Sequence, residues 1–93
     1  MVEVVKLSDA VVRGMVKLPK QVRTKLKVWA SAVEESGLAE VRKNRGYHDE
    51  PLSGDRAGQR SIKLNRGWRA FYVIAETGEV RIVLVIDVNK HKY

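Results

Sequence analysis

Residues 59–74 constrain the fold of this 93-residue chain more than any other stretch. Ile62 and Leu64 alternate with polar neighbours, which is typical of a strand with one buried face. A turn follows at residues 65–67, and the chain then continues from Trp68 through aromatic and β-branched residues. Gly67 stands where a three-residue hairpin loop commonly needs positive φ. The stretch therefore predicts a β-hairpin.

The same stretch carries an unbalanced charge. Between residues 56 and 74 there are five basic residues and no acidic one. The whole chain has a net charge of +7 and a pI of about 10.0, which is typical of nucleic-acid-binding domains. We expect this surface to contact backbone phosphates with little sequence preference. The predicted RNA-binding residues are Arg56, Arg60, Lys63, Arg66 and Lys90.

The first half of the chain predicts a strand followed by two helices. Residues 2–7 are a short β-branched run, and Ser8 is a suitable N-cap for a helix over residues 10–17. A second helix begins after Pro19, and Gly37 is placed to end it. Its apolar positions recur every three or four residues and form one stripe that we expect to face the core. The stripe consists of Leu18, Val22, Leu26, Trp29 and Val33.

These two helices also carry six basic residues and no acidic one between residues 10 and 33. A solvated helical face explains them slightly better than contact with nucleic acid. Later, residues 45–58 read as a long loop, and residues 80–88 as a central strand buried on both faces. The order predicts one α+β domain over residues 1–93. Two helices pack on one face of a small, mainly antiparallel, four-stranded sheet that includes the N-terminal strand.

Several classes of protein do not fit this sequence. It contains no cysteine, and its two histidines lie outside any metal-ligand motif, so we expect no metal site and no cofactor. It shows no signal-peptide pattern, and no apolar stretch approaches the roughly 20 residues that span a bilayer. We therefore expect a cytoplasmic protein that does not associate with a membrane.

The side chains that remain form an acid–base set among cations. RNA supplies its own nucleophile, the 2′-hydroxyl, so its cleavage needs only a base, an acid and cations that stabilise the phosphate. Each candidate also has an ordinary explanation, as a loop polar residue or as part of a disordered terminus. The candidates are Glu50, His48, His91 and Tyr93, together with Lys63 and Arg69.

Four segments carry a resemblance to a known family. They are EPLSGDRAG at residues 50–58, RSI at 60–62, WRAFY at 68–72 and VNKHKY at 88–93. These segments, in this order of elements, resemble the RelE/HigB/YoeB group of bacterial type II toxins, within the RelE/ParE superfamily. The resemblance covers essentially the whole chain and implies the RelE-like fold.

The resemblance also implies an activity. Such toxins are ribosome-dependent mRNA endonucleases that a cognate antitoxin holds inactive. Here Glu50 or His48 corresponds to the base, Arg69 to a phosphate-stabilising group and Lys63 to a basic position on the preceding strand. The terminal residues His91 and Tyr93 match as well, although Lys92 separates two residues that are adjacent in some branches of the group.

Two alternatives remain open. A ParE-like inhibitor of DNA gyrase has the same fold but generally lacks the acid–base set, so Glu50, Arg69, His91 and Tyr93 favour the nuclease. A non-catalytic RNA-binding module explains the charge but gives the terminal residues no role.

Overall fold

The computed structural model describes residues 2–90, and its first half alternates a strand with helices. Strand β1 (Val2–Leu7) leads into helix α1 (Asp9–Gly14), which tightens into a 3-10 turn at Met15–Lys17. Ser8 caps α1, since its Oγ accepts a hydrogen bond from the Val11 amide at 3.2 Å. Helix α2 (Lys20–Ser36) and the short helix α3 (Leu38–Val41) follow.

The second half forms most of the sheet. A 3-10 turn at Arg45–Tyr47 precedes strand β2 (Glu50–Pro51), and a second one at Gly54–Arg56 precedes strand β3 (Arg60–Lys63). The long strands β4 (Trp68–Thr77) and β5 (Val80–Lys90) complete it. The strand order is β1-β5-β4-β3-β2, in which β1 is parallel to β5 and the other pairs are antiparallel.

This architecture confirms the predicted α+β class and the hairpin, with one difference. Within residues 2–90 the sheet has five strands and not four. The added strand, β2, lies inside the segment that the sequence predicts to be a loop. A two-residue strand is too short to show alternation, so it leaves no periodic signal.

The predicted stripe of α2 is the centre of the core. Val22, Leu26, Trp29 and Val33 are at most 1% exposed, and Leu18 is partly buried beside them. The Trp29 ring lies 5.5 Å from that of Tyr72 on β4, so the stripe packs against the sheet. Between residues 2 and 90, no helix combines the length and the apolar character that crossing a bilayer requires.

Of the two glycines with predicted backbone roles, Gly37 adopts the expected conformation and Gly67 does not. Gly37 ends α2 as predicted, with φ of +88°, and its amide donates to the Val33 carbonyl at 2.8 Å. Gly67 does not adopt the positive φ that the sequence predicts. The turn is instead closed by Asn65, whose Oδ1 accepts from the Gly67 amide at 2.9 Å.

Strand β5 also departs from its prediction. Val83 and Val85 are fully buried under the helices, but Ile82, Leu84 and Ile86 on this strand are only half-buried. The prediction of a strand buried on both faces is therefore wrong, because the helices cover only one face of the sheet. We call the other face the open face.

Candidate active site

Two rows of side chains cross the open face at the end of the sheet near β2. Residues that pair directly across strands share a face. Glu50 pairs with Ser61, Ser61 with Phe71, and Phe71 with Asp87. The neighbouring row pairs Lys63 with Arg69, and Arg69 with Asn89. The pairing thus brings three of the predicted catalytic residues, Glu50, Lys63 and Arg69, onto one surface.

A bulge in β5 makes the second half of these rows possible. Phe71 pairs with Asp87, whereas the next residue, Tyr72, pairs with Val85, so Ile86 is the extra residue. An extra residue reverses which side chains face outward. Upstream of it, Val83 and Val85 point towards the helices; downstream of it, Asp87 and Asn89 point to the open face.

Arg69 connects the rows. Its Nη1 donates to Glu50 Oε1 at 3.3 Å and to Ser61 Oγ at 3.1 Å. The Arg69 side chain is 21% exposed, the Glu50 side chain 44%, and Ser61 is fully buried. Ser61 and Glu50 therefore hold the same guanidinium nitrogen of Arg69, and the Glu50 carboxylate is open to solvent.

His48 stands next to this pair. Its Nε2 lies 3.5 Å from Glu50 Oε2, and its side chain is 61% exposed. His48 adopts a left-handed conformation with φ of +48°, which reverses the chain between the 3-10 turn and β2. An open pocket beside it is lined by Arg42, Asn44, Arg45, His48, Asp49 and Glu50. Both candidates for the base thus border one pocket that also contains two arginines.

Arg56 covers the middle of the first row. Its guanidinium lies 4.0 Å from the centre of the Phe71 ring, which is a cation–π contact. It also donates to Asp87 Oδ2 at 2.8 Å and to Gln59 Oε1 at 2.9 Å. Asp87 accepts a further hydrogen bond from Asn89 at 2.9 Å. These contacts fasten the segment between β2 and β3 over the open face.

The remaining predicted RNA-binding residues are divided between the two faces. Lys63 is exposed beside Arg69, and Arg66 is exposed in the hairpin turn. Arg60 pairs with Tyr72 and Lys90 with Trp68, so both belong to the helix face. Arg60 also donates from Nε to Asp49 at 2.7 Å. His91 and Tyr93 lie outside the described residues; Lys90 precedes them at the end of β5.

Asp49, which the sequence reasoning missed, is the most buried acid near the site. Its side chain is 2% exposed and accepts from Arg60 Nε at 2.7 Å and from the Tyr72 hydroxyl at 2.6 Å. Burial opposes the charge on Arg60, but the hydrogen bond to Asp49 and its charge outweigh burial and raise the pKa of Arg60. Burial and then the same carboxylate raise the pKa of Tyr72 to about 12.

The Tyr72 pKa gives a prediction for alkaline pH. A phenol with a raised pKa in the folded state stabilises the protein below its unfolded pKa of about 10, and this stability is lost as pH rises through about 12. At about 1.4 kcal/mol per pKa unit, the free energy of unfolding should fall by up to about 3 kcal/mol. Between about pH 9 and about pH 11.5, urea unfolding should show a loss that is about 2 kcal/mol larger in the parent than in Tyr72→Phe. Equal losses in the two proteins would contradict the assignment.

No signal in the sequence marks Asp49, because it is one of several charged residues in a predicted loop. Strand alternation in the sequence does place Ser61 on the face opposite to Ile62 and on the same face as Lys63. The sequence does not show that Asn89 faces the open side of the sheet, because the bulge at Ile86 decides where its side chain points.

Comparison with solved structures identifies the fold. The chain superimposes on the RelBE2 toxin–antitoxin complex from Mycobacterium tuberculosis with a TM-score of 0.69 and 21% sequence identity, and the match covers 98% of this chain and 100% of that chain. It matches the YoeB/ParE toxin from Agrobacterium tumefaciens with a TM-score of 0.65 and 21% sequence identity, and the match covers 99% of this chain and 100% of that chain. The match to YafQ from Escherichia coli has a TM-score of 0.67 and 16% sequence identity, and it covers 92% of this chain and 90% of that chain.

These matches define the class of fold as that of the RelE/YoeB/YafQ toxins. The chain has this fold over nearly its whole length, which confirms the RelE-like fold that the resemblance implies. No protein-family model and no curated protein sequence matches the chain.

Proposed function

We propose that this chain is the toxin of a type II toxin–antitoxin system and that it cleaves mRNA on the ribosome. The observation that carries the proposal is the contact of Arg69 with Glu50 on the open face, with Lys63 beside them and His48 within reach of the carboxylate. A gyrase inhibitor or a simple binding module has no need for a base held against a phosphate-binding cation. The toxin fold and the resemblance in residues 50–72 support the same reading.

The reaction needs no metal in this scheme. The 2′-oxygen of the RNA attacks the adjacent phosphorus while Glu50, or His48 beside it, takes its proton. The bond from phosphorus to the 5′-oxygen breaks, and His91 gives a proton to that leaving oxygen. The products are a 2′,3′-cyclic phosphate and a 5′-hydroxyl.

Arg69 and Lys63 stabilise the negative charge that develops on the phosphate. Both side-chain contacts of Arg69 with described residues use Nη1, and a guanidinium has five N–H donors. Its other donors can bind two phosphate oxygens in the planar geometry that Arg favours. Lys63 supplies a second, exposed positive charge one strand away. Arg42 and Arg45 line the pocket beside His48 and extend this cationic surface.

The partner in this proposal is a cognate antitoxin. The solved structures that share the fold include toxin–antitoxin complexes from Mycobacterium tuberculosis, Staphylococcus aureus and Escherichia coli. An acidic or amphipathic antitoxin segment would cover the basic open face or displace the C-terminal residues, so that antitoxin and RNA compete.

One experiment separates the candidate functions. Purified protein is incubated with translating ribosomes, and the new mRNA ends are mapped, with a supercoiling assay of DNA gyrase run in parallel. We expect cuts in mRNA only when ribosomes are present, normal gyrase activity, and no cuts after the antitoxin is added. Inhibition of gyrase without cleavage would favour the ParE-like reading, and binding without either effect would favour a simple RNA-binding module.

The binding surface is tested by the salt dependence of affinity. Each cation that contacts a phosphate of single-stranded RNA contributes about 0.7 to the slope of log K against log salt. Lys63→Ala with Arg66→Ala should therefore flatten the slope by about 1.4 in fluorescence titrations with RNA. The control is Lys20→Ala with Lys27→Ala, which removes the same charge from exposed positions on α2. If only the control flattens the slope, the RNA lies along the helices.

A further inference from the structure

Asp49 is a buried carboxylate that joins four parts of the fold. Arg60 on β3 donates to it at 2.7 Å, Tyr72 on β4 donates at 2.6 Å, and Arg42, after α3, places Nε 3.9 Å away. Its own side chain is only 2% exposed. A buried charge is costly unless it is paired and hydrogen-bonded, and Asp49 meets both conditions. Removal of the carboxylate would leave buried donors without their acceptor.

Strand β2 needs such an anchor. It has only two residues, Glu50 and Pro51, and the proline has no amide to donate. The next backbone hydrogen bond of this segment is from the Leu52 amide to the carbonyl of Gln59, the residue before β3, at 3.0 Å. So short a pairing at the edge of the sheet contributes few hydrogen bonds. The Asp49 contacts therefore add side-chain hydrogen bonds that hold a segment whose own ladder is short.

The anchor lies between the two candidates for the base. Side chains alternate along an extended chain, so Asp49 faces the helices while Glu50 faces the open side. His48, on the other flank, is held at φ of +48°. Displacement of Asp49 would move Glu50 away from Arg69 and His48 away from Glu50, with no direct contact between Asp49 and the RNA.

We propose that Asp49 is a positioning residue, whose buried contacts with Arg60 and Tyr72 hold Glu50 against Arg69. This inference rests on the proposed ribonuclease function for its effect on rate, but the anchoring itself can be measured without activity. A misplacement of about 1 Å in a catalytic group can cost about 10²-fold in rate. Asp49→Asn keeps the shape but removes the charge and places an amide donor among existing donors.

The activity arm uses a double-mutant comparison. Asp49→Asn should lower the single-turnover cleavage rate about 10²-fold while RNA affinity changes less than about twofold. In a Glu50→Ala background the same substitution should cost almost nothing more, because its effect passes through Glu50. Tyr72→Phe removes one hydrogen bond, keeps the ring packing and should give a smaller loss in the same direction. Equal losses with and without Glu50 would overturn the proposal.

The control is Glu3→Gln, which alters an equally constrained carboxylate at the far end of the sheet. Glu3 is 11% exposed, accepts from the Leu38 amide at 2.6 Å and pairs with Arg81 at 3.0 Å. This variant should lose comparable stability but cleave at the parental rate. It shows whether a general loss of stability is enough to slow cleavage.

Amide hydrogen exchange tests the anchoring without any measurement of activity. Asp49→Asn should accelerate hydrogen exchange of the Leu52 amide by about 10-fold, and Tyr72→Phe should accelerate it as well. Neither variant should change the exchange rate of the Leu38 amide. Glu3→Gln should do the reverse. If Leu52 exchange is unchanged in both Asp49→Asn and Tyr72→Phe, Asp49 does not hold β2 and the proposal is wrong. If the parent protein fails to cleave mRNA, the proposed function fails and exchange alone decides the anchoring.

Discussion

Glu50→Ala is expected to slow single-turnover cleavage about 10²–10⁴-fold while RNA affinity stays within about twofold of the parental value. The Glu50 carboxylate is 44% exposed and lies between Arg69 and His48, so it can reach a substrate and has a cation beside it. Its removal takes away a proton acceptor and leaves the phosphate-binding cations in place. Rapid-quench cleavage and an affinity titration on the same RNA separate the two effects.

Arg69→Lys tests the other half of the site. Lysine keeps the positive charge but cannot bind two phosphate oxygens in a plane, so the rate should fall by about 10²-fold. Arg81→Lys is a control, because Arg81, like Arg69, lies in a strand of the sheet and pairs with a carboxylate, in its case with both Glu3 and Glu76. It stands eight residues along β5 from Asn89, the partner of Arg69, at a distance of roughly 26 Å.

Three outcomes would contradict the catalytic roles proposed for these residues. If Glu50→Ala and His91→Ala both cleave at the parental rate, neither residue transfers a proton and the gyrase-inhibitor reading gains support. If Glu50→Ala is unaffected but His48→Ala loses activity, His48 is the base. If Arg81→Lys slows cleavage as much as Arg69→Lys, the loss reflects the stability of the sheet and not contact with phosphate.

The parts of the fold that could be predicted are those with a long periodic signal. The stripe from Val22 to Val33 repeats along α2, and only one packing direction buries it. The hairpin around residues 65–67 follows a strand with clear alternation and precedes a run of aromatic and β-branched residues. The predicted positive φ at Gly67 is wrong, because the Asn65 side chain closes the turn.

The candidate site was harder to predict because it depends on short and irregular features. Glu50 and Arg69 could be chosen from the chemistry, but their contact requires β2, which spans only two residues. Asp87 and Asn89 face the site only because Ile86 is an extra residue in β5. Asp49 and Glu50 are adjacent acids with opposite surroundings, and only the sheet shows which of them is buried.

Trp29→Ala is expected to destabilise the protein by about 3–5 kcal/mol. The Trp29 side chain is completely buried and its ring lies 5.5 Å from Tyr72, so alanine would leave a large cavity under the sheet. A domain of this size typically has a free energy of unfolding of about 5–15 kcal/mol, so this loss would bring the protein close to unfolding. Urea or thermal denaturation followed by circular dichroism measures it.

Two further variants make this test specific. Among the described residues the Trp29 indole Nε1 has no hydrogen-bond partner, so Trp29→Phe removes a buried unpaired donor while retaining most of the ring. It should therefore cost clearly less than Trp29→Ala. Val28→Ala changes the adjacent residue, which is 53% exposed, and should stay within about 0.5 kcal/mol of the parent. If Val28→Ala destabilises as much as Trp29→Ala, then α2 does not present Trp29 to the sheet, and the helix packing described above is wrong.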